Sequence, residues 1–152
     1  AYGFELSGVY QPAAFNKQLY LNANISYKDA TLADGFGSNP EGSRLADSPE
    51  WLMTAGITYE PTEWLVANMS AKYTGSRFTD YAETYTMDSY TIVSAYVDLG
   101  GVNPFGMPEN VSLRFNVDNL FDEEVLSFAF VGSAFYRPLN PRNFQASLTV
   151  AF

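Results

Sequence analysis

Trp64-Leu65-Val66-Ala67-Asn68-Met69-Ser70-Ala71-Lys72-Tyr73-Thr74-Gly75-Ser76 separates into two interleaved sets of side chains. Leu65, Ala67, Met69, Ala71 and Tyr73 fall on one side of an extended chain. Val66, Asn68, Ser70, Lys72, Thr74 and Ser76 fall on the other. A side-chain period of two is the mark of a strand with one face in an apolar medium and the other in water. The same split recurs at Val111, Leu113, Phe115 and Val117 against Ser112, Arg114, Asn116 and Asp118. It is cleanest at Phe144, Ala146, Leu148, Val150 and Phe152 against Asn143, Gln145, Ser147 and Thr149.

Working outward, the alternation predicts seven strands, over 2–11, 18–32, 50–60, 64–78, 90–99, 111–121 and 143–152. Several reach the 9–11 residues, roughly, that a tilted transmembrane strand needs. Strands of soluble proteins average about five or six. The segments 12–17, 61–63 and 100–110 read as short to moderate turns, whereas 33–49, 79–89 and 122–142 read as long loops. Long and short connections taking turns along an antiparallel meander are the pattern of an outer-membrane barrel, with its longer loops outside the cell. Tyr10, Tyr27, Trp51, Tyr59, Trp64, Tyr73 and Phe152 lie near strand ends, as interfacial girdles require. The loop 122–142, with Leu126, Phe128, Phe130, Gly132 and Phe135, has room for a further short hairpin.

Composition narrows the class. The chain of 152 residues is 47% hydrophobic and 16% aromatic but 16% charged, where soluble domains carry about 25% charge. Apolar runs such as Phe128 to Val131 last four residues, far from the roughly 20 of a membrane helix. A net charge of −9 offers no basic footprint for nucleic acid. With His 0 and Cys 0, neither a Ser-His-Asp triad nor a zinc centre can be built, so enzyme readings come last and no cofactor is expected. Glu60 and Glu63 flank a predicted tight turn with no sign of a pocket, and we reject acid–base chemistry there.

Seven strands cannot stand alone in lipid. Two bare edges would each expose about five unpaired backbone groups, each costing several kcal/mol. The reading is therefore one arc of a larger barrel rather than a complete one.

Particular residues then carry a resemblance. Asn119-Leu120-Phe121-Asp122 follows an alternating strand, and Pro141-Arg142-Asn143-Phe144 opens the last one. These resemble the NLFD-like and PRxF-like motifs that introduce the last two strands of TonB-dependent outer-membrane receptors. Tyr73-Thr74-Gly75-Ser76-Arg77-Phe78-Thr79-Asp80 and Arg44-Leu45-Ala46-Asp47-Ser48-Pro49-Glu50-Trp51 are similar to family segments at strand ends. The resemblance spans essentially the whole chain. It implies the last seven strands of a 22-stranded barrel whose lumen is plugged, with the plug and earlier strands lying outside residues 1–152. It also implies a Gram-negative outer-membrane location and uptake of a scarce solute, driven from the inner membrane through the TonB complex. Ferric siderophore, cobalamin, nickel chelate and oligosaccharide all stay open as that solute. The alternatives are a self-contained eight-stranded barrel with a structural or adhesion role, and a soluble β-barrel carrier.

Candidate sites follow from these placements. Phe144, Leu148, Val150 and Phe152 resemble the C-terminal signal read by the barrel-assembly machinery, or simply face outer-membrane lipid and lipopolysaccharide. Lys72, Arg114, Asn116 and Asp118 are expected to face the lumen, as hydrated wall or as contacts for plug or solute. Tyr81, Tyr85, Phe128, Phe130, Phe135 and Tyr136 offer rings in the outer loops, either to a ligand or to one another. Tyr90 belongs with them. The acids Asp34, Glu41, Asp47, Asp80, Glu83, Asp88, Asp122, Glu123 and Glu124 lack the spacing of a calcium loop and read as solvated loop charge. They disfavour long-range attraction of a strongly anionic solute.

Overall fold

A computed structural model describes residues 1–35, 37, 39, 41–129 and 136–152. Among them eleven strands form, β1 (Tyr2–Tyr10), β2 (Leu19–Asp29), β3 (Trp51–Thr62), β4 (Leu65–Thr74), β5 (Arg77–Phe78), β6 (Thr86–Met87), β7 (Tyr90–Gly100), β8 (Val111–Asp118), β9 (Leu126–Ala129), β10 (Tyr136–Pro138) and β11 (Asn143–Val150). Seven make one antiparallel sheet in the order β1-β2-β3-β4-β7-β8-β11. This is the expected seven-strand meander. The other four pair off as two small hairpins, β5–β6 and β9–β10, outside the sheet.

Cross-strand partners share a face, so the registers show what each face carries. Tyr10, Leu21, Ile57, Met69, Ala95, Val117 and Phe144 form one continuous row across all seven strands. Leu65, Leu99, Leu113 and Leu148 form another. A third row holds small side chains, Gly8, Ala23, Ala55 and Ala71, ending at Val93. The opposite face carries Tyr20, Thr58, Asn68, Tyr96, Asn116 and Gln145 in one row, and Ser7, Asn24, Thr54, Lys72 and Ile92 in another. The sequence pattern is thus preserved strand to strand. One face is apolar, the other polar.

Among the described residues no ordinary core exists between layers, and the buried apolar side chains are Ala30 and Met87. Leu6, Met69, Phe115 and Leu148 are exposed on the apolar face. Burial is concentrated instead at the rim that bears the long loops, where Ser43, Thr74, Arg77, Thr79 and Asn119 are covered. At that rim Phe4, Tyr27 and Trp51 stack on the apolar face, the last two with ring centroids 4.8 Å apart. At the other rim Trp64 meets Phe105 edge-on at 5.8 Å. Tyr10 and Tyr59, exposed on the apolar face at this rim, complete the expected girdles, whereas Trp64 lies on the polar side near Asp98 and Arg114.

The strand ends differ from the alternation in instructive ways. The fourth strand stops at Thr74 rather than at 78, and Arg77–Phe78 turns into the β5–β6 hairpin. Gly75 makes that exit possible. Its N–H donates to the Trp51 carbonyl, and a Cβ there would sit 3.1 Å from that oxygen. The third strand runs past 60 to Thr62, with a register shift between Tyr59 and Thr62. Pro61 lacks an N–H to give the ladder and is tolerated at such an irregularity. The second strand ends at Asp29 instead of 32, the sixth expected strand at Asp118 instead of 121, and the last at Val150. The short hairpin expected within 122–142 forms as β9–β10 and leaves the wall count odd.

Candidate functional site: the polar wall and the loop collar

The polar face offers the first cluster. On β8, Arg114, Asn116 and Asp118 alternate with apolar residues and so point to one side. Arg114 makes a two-pronged ion pair with Asp98 on β7, and its guanidinium lies 4.4 Å from the centre of the Tyr96 ring. Planar guanidinium chemistry suits both contacts at once. The Asn116 amide donates to the Asp118 carboxylate at 3.2 Å. Lys72 stands on the same face two strands away, opposite Thr54 and Ile92. Arg114 thus pairs across to β7, Asn116 pairs with Asp118 along β8, and Lys72 stands apart from both contacts. Sequence reading overlooked Asp98 and Tyr96, although the period of two within 90–99 places both beside Arg114 once the register is known.

The NLFD-like and PRxF-like motifs meet in space. Asn119 and Asp122 adopt left-handed backbone, at φ 52 and 57, a conformation that Asn and Asp tolerate better than other non-glycine residues. This stops β8 and turns the chain back. The Asn119 amide donates to the carbonyls of Glu123 and Asn140, and its Oδ1 accepts from the Glu123 N–H. The Leu120 N–H reaches the Val93 carbonyl on β7. Asp122 accepts from the Arg142 N–H at 2.7 Å, and the Arg142 guanidinium lies across the Leu120 carbonyl. Asn119, with 2% of its surface exposed, thus pairs with three backbone groups. Replacing it by Ala is expected to destabilise the intact barrel by about 1–3 kcal/mol, from the lost side-chain hydrogen bonds and lost left-handed tolerance. Denaturant-induced unfolding in lipid vesicles measures this, with Phe121→Ala, a largely exposed neighbour, as control.

Above this rim the three long loops converge. Several loop acids prove to be structural. Asp80 accepts from the Thr84 and Tyr85 N–H groups, Glu83 accepts from the Arg44 N–H, and Asp47 takes the Arg77 Nε–H. No group of three or more carboxylates able to hold a metal occurs among the described residues. Arg77 is the residue that sequence reading undervalued. It is the single basic residue in the acid-rich segment 75–89, and that contrast is the signal it gave.

The loop rings are spread out. Tyr85 and Tyr136 are exposed. In the β9–β10 hairpin Tyr136 pairs with Ala129 and Phe128 with Arg137, so the two rings take opposite faces. Tyr81 lies in the loop carrying β5 and β6, and Tyr90 begins β7 beneath it. Phe130 and Phe135 lie outside the described residues. On β11, Phe144, Leu148 and Val150 share the exposed apolar face, and Phe152 follows the strand.

Comparison with known proteins assigns the class. The family model described as TonB dependent receptor-like, beta-barrel, matches residues 1–120. The chain belongs to the TonB-dependent receptor β-barrel family. It is 27% identical over 149 residues to the vitamin B12 transporter BtuB of Photobacterium profundum, covering 97% of this chain and 22% of that protein. It is 30% identical over 124 residues to the ferrichrome outer membrane transporter/phage receptor of Escherichia coli (strain K12), covering 78% of this chain and 16% of that one. In structure it overlays the closed form of the ferric-catecholate import receptor Fiu from K12 E. coli with a TM-score of 0.74 at 25% identity, over 99% of this chain and 20% of the receptor. The unliganded ferric citrate transporter FecA gives a TM-score of 0.79 at 19% identity, over 97% of this chain and 23% of that chain, a likeness of fold. The chain thus spans less than a quarter of each of these TonB-dependent relatives.

Proposed function

We propose that residues 1–152 are the C-terminal arc of the wall of an outer-membrane transporter, closed by strands and a plug belonging to the same receptor. The observation that carries this reading is the sheet itself, apolar on one face, polar on the other, and unpaired along the outer edges of β1 and β11. Such a sheet is stable in lipid as part of a closed cylinder. The plug then fills the polar side, and Lys72, Arg114, Asn116 and Asp118 line the passage. Phe144, Leu148, Val150 and Phe152 present the terminal strand to the barrel-assembly machinery by strand pairing, within a Gram-negative outer membrane rich in lipopolysaccharide.

The receptor's role is to capture a scarce solute at its outer loops and release it inward when the TonB complex works on the plug. Relatives named for vitamin B12, ferrichrome and ferric catecholate support iron chelates or cobalamin as the solute class. The test is the full-length receptor expressed in a Gram-negative host lacking its own siderophore and cobalamin receptors. Radiolabelled ferrichrome and radiolabelled cobalamin are supplied with and without a functional TonB complex. TonB-dependent accumulation of either supports the reading. Passive, TonB-independent leakage of both points to a simple pore and overturns it.

A further inference from the structure

The three long loops meet at one side chain. Arg77 leaves the loop that carries β5 and β6, and its guanidinium is nearly sealed from water, with 3% of the side chain exposed. Nε–H donates to the Asp47 carboxylate in the β2–β3 loop. One Nη2–H donates to the Ser127 carbonyl on β9, in the β8–β11 connection, at 2.6 Å. The guanidinium also lies 6.0 Å from the centre of the Tyr90 ring, at the start of β7. Its remaining nitrogen, Nη1, has no hydrogen-bond partner among the described residues.

A buried cation with one carboxylate partner is costly unless several groups hold it together. Here those groups come from three separate loops. The bond to Ser127 crosses 50 residues of sequence and the pair with Asp47 crosses 30. The contact between the first two loops is reinforced elsewhere. The Asp47 N–H donates to the Phe78 carbonyl, and Arg44 lies over the Phe78 ring at 5.7 Å while its N–H donates to Glu83.

We propose that Arg77 is a positioning residue that couples the three loops into one collar, so that a disturbance in the β2–β3 loop reaches the β9–β10 hairpin through its guanidinium. Opening any one loop strips the cation of a partner the other two cannot replace. The loops therefore open together, and access to the barrel mouth is concerted.

The proposal rests on the chain being part of an assembled barrel, so heat-modifiable migration of each variant on a denaturing gel reports that condition separately. Backbone hydrogen exchange is read on the intact receptor in nanodiscs. Asp47→Asn, a change confined to the first loop, is expected to speed exchange in β9 and β10 by about tenfold, the scale of a charge-assisted hydrogen bond. Arg77→Lys keeps the charge beside Asp47 but has no fork to span to Ser127. It is expected to free β9–β10 while the β2–β3 loop keeps most of its protection. Arg77→Gln frees both. Faster exchange confined to the mutated loop, in barrels that still show heat-modifiable migration, overturns the coupling.

Discussion

Expressed by itself and refolded into detergent, the 152-residue chain does not form a compact, heat-modifiable barrel and instead aggregates or associates through its sheet edges. The expectation follows from hydrogen-bond accounting. The free edges belong to β1 and β11, strands of 9 and 8 residues whose inner sides are fully paired with β2 and β8. On each outer side about four residues direct both N–H and C=O away from the sheet, about eight groups per edge where the sequence pattern suggested about five. In hydrocarbon each such group costs several kcal/mol, so the two edges together cost tens of kcal/mol. That exceeds the roughly 5–15 kcal/mol by which a whole domain is usually stable. Leaving the membrane offers no escape, because the apolar rows that would face lipid then face water with no core to bury them. Size-exclusion chromatography with light scattering, alongside gel migration before and after boiling, is the measurement. A monodisperse monomer that migrates faster unboiled, or one soluble in plain buffer, contradicts both the open-edge argument and the transporter reading.

The second large effect separates the two faces of one strand. Met69 lies midway along β4 in the apolar row between Ile57 and Ala95, and Ser70 follows it in the polar row between Gly56 and Ser94. Met69→Arg carries a guanidinium to the depth where lipid is driest. In the intact receptor it is expected to cost about 2–4 kcal/mol of folding free energy. Ser70→Arg, one residue on, is expected to cost clearly less than Met69→Arg, since its charge enters the polar side of the sheet. Urea or guanidinium titration of the barrel in vesicles gives both values. Equal costs, or the reverse order, would mean that the faces have been assigned the wrong way round.

The alternation made the wall legible because it is a local property, visible within ten residues. Leu65 to Tyr73 declares its face without knowledge of any neighbour. The same is true of both girdles, since Trp51 and Tyr10 sit at the ends of their own strands. What stayed hidden needed a register or a distant partner. Period two put Asp98 and Arg114 on polar positions, but their pairing depends on β7 and β8 aligning residue for residue. Strand ends were blurred for a related reason. Past Thr74 the chain keeps alternating while Gly75 has already turned it out of the sheet. Arg77 is the extreme case, because its partners lie 30 and 50 residues away and nothing near it in sequence announces them. The NLFD-like and PRxF-like motifs were recognisable as a family likeness, and Asn119 and Asp122 join them in space.

The covered residues, Ser43, Thr74, Arg77, Thr79 and Asn119 among them, gather in and beside the long loops at one rim of the sheet, and among the described residues the short-turn rim has no counterpart. Mechanically the arc is hooped at one end. Local opening of the backbone is therefore expected to start at the short-turn end, where no buried residue lies among the described residues.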